Sequence, residues 1–223
     1  MIEPDIDKIP DIPLPDNEDL EKFILYYRQM TALYESAVRI VTTRLDIIEK
    51  ECLSIGRHSP IRAVTTRIKE PQSIRHKLNA RGFPLTLRSI FENLRDVAGV
   101  RVICEYIFDI YAVKDALLSD GTIQLEMTKD YIRHPKPNGY RSLHLVLRVP
   151  IQLYHGIQMI PCEIQIRTTA MDSWASLEHN LRYKKGLPPN AERDKKLKLC
   201  ADTLAKTDGM MQDIAEEMGI FNV

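Results

Sequence analysis

Two segments restrict the architecture of this chain more than any others, because each alternates with a period of two. In residues 142–149, Leu143, Leu145, Leu147 and Val149 fall on one side and Ser142, His144 and Arg148 on the other. In residues 160–167, Cys162, Ile164 and Ile166 oppose Glu163, Gln165 and Arg167. A third run, 97–104, sends Val100, Val102 and Cys104 one way and Arg101 and Ile103 the other. Assembled side by side, these strands give a sheet face bearing Arg101, Ser142, His144, Glu163, Gln165 and Arg167. That face is too polar and too mixed in sign for a core, and too periodic for loop surface. The spacing therefore predicts a sheet with one apolar face under helices and one polar face lining a cleft.

The helices are legible from the other period. From Leu20 to Cys52, apolar positions recur in steps of four and three (Leu20, Ile24, Tyr27, Thr31, Tyr34, Val38, Val41, Leu45, Ile48). This predicts a helix of roughly 50 Å at the usual rise per residue. Tyr27, Thr31 and Tyr34 are weak coiled-coil residues, so the seam reads first as a face packed on the body of the protein and second as a subunit contact. Shorter helices are expected from Ser73, over 85–95 and over 109–119. A helix capped by Thr168 or Thr169 runs to Tyr183 and is ended by Gly186-Leu-Pro-Pro189. The last one is amphipathic, with Leu197, Ala201, Leu204, Met211, Ala215 and Met218 on one stripe. Residues 1–16, with Pro4, Pro10, Pro13 and Pro15, form an extended arm, and Asp16 or Asn17 caps the long helix. The organisation predicted is an arm (1–16), a helix (17–54), a central domain (55–185) and a helical extension (186–223).

Candidate chemistry gathers at three places. Pro135-Lys-Pro-Asn-Gly139 is a turn that delivers Lys136, Asn138, Tyr140 and Arg141 to the head of the strand carrying His144. Aromatic, amide and cation together suit a nucleotide; the same residues also fit an ordinary proline-rich turn with solvated charges. Residues 63–69 read as an edge strand closed by Pro71, with Arg67 and Lys69 on one face. Ser73 and Lys77 share a face of the next helix, with Arg75 beside them. This strand–turn–helix can grip a triphosphate or present a solvated basic face. Asp96 stands at the mouth of a buried strand, a common place for a metal-binding carboxylate and also for a turn residue.

Charge and cysteine narrow the partners. Thirty-one basic and 31 acidic residues give a formal net charge of zero, against a dedicated duplex-binding protein. Four cysteines lie far apart with no CxxC, and three keep register with apolar neighbours, so they read as buried thiols in a reducing compartment. No apolar run reaches transmembrane length and the N-terminus is unlike a signal peptide. A cytoplasmic protein without membrane contact is expected.

Five motifs in order, Arg67-Ile-Lys-x-x-x-Ser-Ile-x-x-Lys77, Asp96-Val-Ala-Gly-Val-Arg101, Lys136-Pro-Asn-Gly-Tyr-Arg-Ser-Leu-His144, Glu163-Ile-Gln-Ile-Arg-Thr168 and Trp174-Ala-Ser-Leu-Glu-His179, closely resemble the synthetase domain of RelA/SpoT-type alarmone enzymes. The resemblance spans about residues 55–185, and the length is similar to that of the small single-domain members. No histidine is followed by Asp, so the hydrolase domain of the long members is not expected. The resemblance implies an α/β (α+β) fold with a mixed sheet of about five strands, similar to nucleotidyltransferases. It implies transfer of the β,γ-pyrophosphate of ATP to the 3′-hydroxyl of GDP or GTP, giving ppGpp or pppGpp and AMP. It further implies that Asp96 and Glu163 hold Mg²⁺, with Glu163 a candidate base for the hydroxyl. Arg67, Lys69, Ser73, Lys77 and Arg101 match the ATP side, where the two arginines sandwich adenine. Tyr140 matches the residue that stacks on guanine, with Lys136, Asn138 and His144 beside it and Gln165 and Glu178 in a secondary place. A homotetramer, and regulation by (p)ppGpp or RNA, are the implied partnerships. Rival readings are an RNA-directed nucleotidyltransferase and a non-catalytic sensor of RNA or guanine nucleotides. The first usually shows Asp-x-Asp on a strand, and the one such pair here, Asp5-Ile-Asp7, lies in the arm. No glycine precedes a lysine, so the P-loop is absent.

Overall fold

The computed structural model describes residues 20–119, 121–183 and 190–221. The expected arm with its Asp5-Ile-Asp7 pair, the cap at Asp16 or Asn17, and the Gly186–Pro189 terminator lie outside these residues. Among the described residues the order is α1 (Leu20–Ser54), β1 (Ile61–Ile68), α2 (Pro71–Ala80), α3 (Leu87–Asn93), β2 (Ala98–Cys104) and α4 (Ile107–Leu118). Then come β3 (Gln124–Asp130), β4 (Leu143–Leu153), β5 (Gly156–Thr168), α5 (Thr169–Tyr183) and α6 (Ala191–Glu217). The five strands form one mixed sheet in the order β1-β2-β5-β4-β3. Only the β2–β5 pair is parallel; the others are antiparallel. As expected, β1 is an edge.

One face of the sheet is apolar throughout. Val100, Val102 and Cys104 of β2, Leu143, Leu145, Leu147 and Val149 of β4, and Cys162, Ile164 and Ile166 of β5 are all buried. Across them lies α1, reaching β1, β2, β4 and β5, with α4 alongside. Val41 and Leu45 are 0% and 1% exposed, so the α1 seam is core. The subunit contact entertained for these positions is thereby corrected. Tyr34, awkward in a coiled coil, is fully buried and stacks on Phe91 of α3 at 5.4 Å between centroids. Each fully buried large apolar side chain contributes about 1.5–3 kcal/mol, which is why a helix of this length stays on one sheet.

Several elements differ from the sequence expectation. β4 and β5 run past Pro150 and back beyond Pro161 to form one long hairpin, Pro150 opposite Met159 and Arg148 opposite Pro161. Both prolines are tolerated because the outer neighbour has already ended: β3 pairs β4 only up to Arg148, and β2 pairs β5 only from Cys162. A missing N–H there breaks no ladder. Helix α2 begins at Pro71 rather than Ser73, since proline at the first helical position removes only a donor without an intrahelical partner. Thr168 caps α5, its Oγ1 accepting from the Met171 N–H at 3.2 Å. α6 packs on α5 and α4, and the buried Trp174 donates its indole N–H to the Leu197 carbonyl at 2.8 Å. The α6 stripe is covered only in part: Ala201 and Ala215 are buried, whereas Met211 and Met218 are 52% and 73% exposed. Cys104 and Cys162 are buried thiols, Cys52 is half-buried and Cys200 exposed, all unpaired. Burial pushes the Cys162 thiol up to about 12. No helix of the described residues is long and apolar enough to cross a membrane.

Candidate active site

The other sheet face carries the predicted polar row. Across β2, β5 and β4, Gly99 pairs with Glu163, Arg101 with Gln165, and Gln165 with His144. Arg101, Glu163 and Gln165, together with Arg67 and Gly99, line a small open cleft of about 160 Å³. The Arg67 side chain lies over Gly99, where a Cβ would meet it in ordinary contact at 3.4 Å.

Asp96, just before β2, is gripped by two ammonium groups. Lys69 and Lys77 both donate to its Oδ2, the latter at 2.6 Å. Its Oδ1 is buried without a hydrogen-bond partner. Burial works against the charge, but Lys69 and Lys77 outweigh it and hold the carboxyl below the usual range. Ser73 is exposed on α2, one turn before Lys77 on the same face.

Glu163 is held differently, by polar neighbours on its own face. His144 Nδ1 lies 3.3 Å from Oε1, and Gln165 Nε2 donates to Oε2 at 3.1 Å. Burial again opposes ionisation, and these two partners more than offset it, so Glu163 too sits below its ordinary value. The negative charge of Asp96 pushes the other way, as the weakest of these influences.

The turn ahead of β4 is built as its sequence predicts. Gly139 takes φ +91° and donates to the Lys136 carbonyl at 2.8 Å. Asn138 Oδ1 accepts from the Tyr140 N–H at 3.2 Å, and its amide donates to Glu178 of α5 at 3.4 Å. Tyr140 then stands in an aromatic and cationic setting: Lys136 Nζ is 4.8 Å from its ring centroid and 4.7 Å from that of Tyr131. The His144 ring lies edge-on to both, at 5.8 and 5.3 Å. Arg141 points away from this setting, donating to the Ala201 carbonyl and to Asp202 of α6.

Thus Arg67, Arg101, Glu163 and Gln165 share the cleft, and Lys69 and Lys77 converge on Asp96. Lys136, Asn138, Tyr140, His144 and Glu178 gather around the turn. Sequence reasoning missed Tyr131 and also Asp172, which lies 3.0 Å from Arg167 and 3.3 Å from Arg101. It placed Arg167 on the polar face without giving it a task. The Asp172–Arg101 contact joins segments far apart in the chain, whereas Tyr131 meets Lys136 and His144 across the β3–β4 connection.

A family profile described as the region found in RelA / SpoT proteins matches residues 66–187. The chain is 36% identical to the GTP pyrophosphokinase YwaC of Bacillus subtilis over 93% of its own length and 99% of that protein's. It is 36% identical to the GTP pyrophosphokinase YjbM of the same organism, covering 91% and 92%. Its fold superposes on the crystal structure of small alarmone synthetase 1 from B. subtilis bound to its product pppGpp. The TM-score is 0.78 at 33% identity, over 86% of this chain and 97% of that one.

Proposed function

From the premise that this chain belongs to the RelA/SpoT family, we propose how its own residues carry out the synthesis of (p)ppGpp. The protein is a GTP pyrophosphokinase: it moves the β,γ-pyrophosphate of ATP onto the 3′-hydroxyl of GDP or GTP and releases AMP. The observation that carries the assignment of roles is a lysine-clamped acid, Asp96, at the head of β2, the strand paired with the one that carries Glu163, whose partner His144 bonds the Tyr140 hydroxyl of the aromatic turn.

Attack on a phosphorus flanked by other phosphates requires in-line placement and neutralised charge. Arg67 and Arg101 hold the adenine side of the cleft, while Lys69, Lys77 and Ser73 take the triphosphate. Bringing phosphates to Lys69 and Lys77 loosens their hold on Asp96 and turns that carboxylate towards a cation. The donor set fits Mg²⁺. Asp96 offers a buried oxygen with no hydrogen-bond partner, and no cluster of three or more metal-binding side chains occurs among the described residues. Mg²⁺ is ordinarily held by one or two carboxylates together with substrate phosphates, here Asp96 and Glu163. When bound, the ion neutralises charge developing on the transferred phosphates. Tyr140 stacks on guanine, Lys136 and Asn138 flank it, and His144 and Gln165 keep Glu163 ionised to receive the 3′-hydroxyl proton. Self-association, as a tetramer in keeping with the small synthetases, uses the outer side of α6, where Leu199, Met210, Met211 and Met218 are exposed. A reducing, cytoplasmic setting suits the unpaired thiols.

The test is incubation of the purified protein with Mg²⁺, ATP and either GDP or GTP, with products separated by anion exchange. A guanine nucleotide gaining two phosphates, matched by AMP, is expected; ADP as the sole adenine product would refute the reading.

A further inference from the structure

Arg167 is a buried arginine for which the reaction as described has no task. Its side chain is 5% exposed. Nε donates to Ser142 Oγ at 3.3 Å, Nη1 to Asp172 at 3.0 Å, and Nη2 to both the Tyr140 hydroxyl oxygen at 2.5 Å and Gln165 Oε1 at 2.9 Å.

A guanidinium only donates, and that fixes the direction of everything beyond it. Gln165 must present its oxygen to Arg167, so its amide hydrogens face Glu163 Oε2 at 3.1 Å. Tyr140 must accept from Arg167, so its own hydrogen is left for His144 Nε2 at 2.7 Å. His144 then carries its hydrogen on Nδ1, directed at Glu163 Oε1 at 3.3 Å. Two chains of donors leave one guanidinium and end on the two oxygens of one carboxylate. The opposite side of Arg167 shares Asp172 with Arg101 of the cleft.

We propose that Arg167 is a positioning residue for pyrophosphate transfer, orienting Tyr140–His144 and Gln165 so that both chains aim Glu163, and joining that assembly through Asp172 to Arg101. Arg167 touches neither nucleotide in this account. It sets the rotamer and hydrogen-bond polarity of groups that do, linking the acceptor aromatic to the acid of the donor cleft. The assignment rests on the synthetase reading.

The first measurement is independent of turnover. In ¹⁵N-histidine protein, with His144→Gln to assign the resonance, long-range ¹H–¹⁵N correlation should place the His144 hydrogen on Nδ1. A hydrogen on Nε2 alone overturns the proposed polarity. Arg167→Lys keeps the charge but cannot span both chains. It should lower kcat by about tenfold or more while KM for ATP moves less than about threefold. Activity within about twofold of wild type refutes the proposal. Tyr140→Phe should cost less kcat in the Arg167→Lys background than in wild type, because the chain it cuts is already disordered; additive losses count against the proposal. Should Arg167→Lys not fold, Tyr140→Phe and Gln165→Leu each sever one chain, and the idea falls if both keep kcat within about twofold. If wild type forms no 3′-pyrophosphorylated nucleotide, the synthetase reading fails, while the tautomer result still judges the network.

Discussion

Gly139→Ala perturbs the acceptor turn where it meets the C-terminal helix. Gly139 has φ +91°, and a Cβ built there stands 2.6 Å from the Cβ of Ala201 and 3.6 Å from Lys198 Cα. Two penalties combine. A non-glycine residue in the left-handed region costs about 1–2 kcal/mol, and forcing a methyl group into a filled contact adds about 1–3 kcal/mol. The turn and α6 are also tied by Arg141, which bonds the Ala201 carbonyl at 3.3 Å and Asp202 at 3.1 Å, so retreat of one disturbs the other. A total loss of about 2–5 kcal/mol is expected by urea denaturation, with KM for the guanine nucleotide rising more than KM for ATP. Ala201→Gly should relieve the clash but not the backbone strain. The double mutant should therefore recover about 1–3 kcal/mol relative to additivity. A cycle that is additive within about 0.5 kcal/mol would show that contact with α6 does not constrain this turn.

Asp96→Asn and Glu163→Gln should each lower turnover by orders of magnitude with unchanged circular dichroism, and near-full activity in either would remove that residue from the metal site. Tyr140→Ala should weaken GDP or GTP binding by about 1–3 kcal/mol in calorimetry while Tyr140→Phe largely retains affinity; loss of ATP binding instead would contradict the stacking role. Changing Val41 and Leu45 together to Glu puts two charges into the sealed α1 contact, a cost comparable to the whole stability of a domain at about 5–15 kcal/mol. The outcome should be an unfolded protein by circular dichroism, and a folded but smaller particle would contradict the packing of α1.

The sheet was readable because an element apolar on one side leaves a period-two trace. Val100, Leu145 and Ile164 carry that trace without interference. Pro150 and Pro161 obscured it: proline ordinarily ends a central strand, and only knowledge of where β2 and β3 stop shows that no ladder bond is lost. The α1 seam was visible, but a heptad spacing does not tell what it packs against. Burial of Val41 and Leu45 decides this. For the site, residue types and order were enough to nominate Asp96, Glu163 and Tyr140. The sequence was silent on Lys69 and Lys77 sharing one oxygen of Asp96, and on Tyr131 standing beside Lys136 and His144. The first contact joins segments that meet where β1 pairs with β2, and the second forms across the connection between β3 and β4.

The most direct test of the central claim tracks the phosphorus atoms. Purified protein is incubated with Mg²⁺ and unlabelled GDP, with ATP carrying ³²P at either the α or the β position. Pyrophosphoryl transfer predicts that β-label moves into the guanine nucleotide while α-label leaves as AMP. Label from the α position entering a longer nucleotide product would mean nucleotidyl transfer, and would contradict the account.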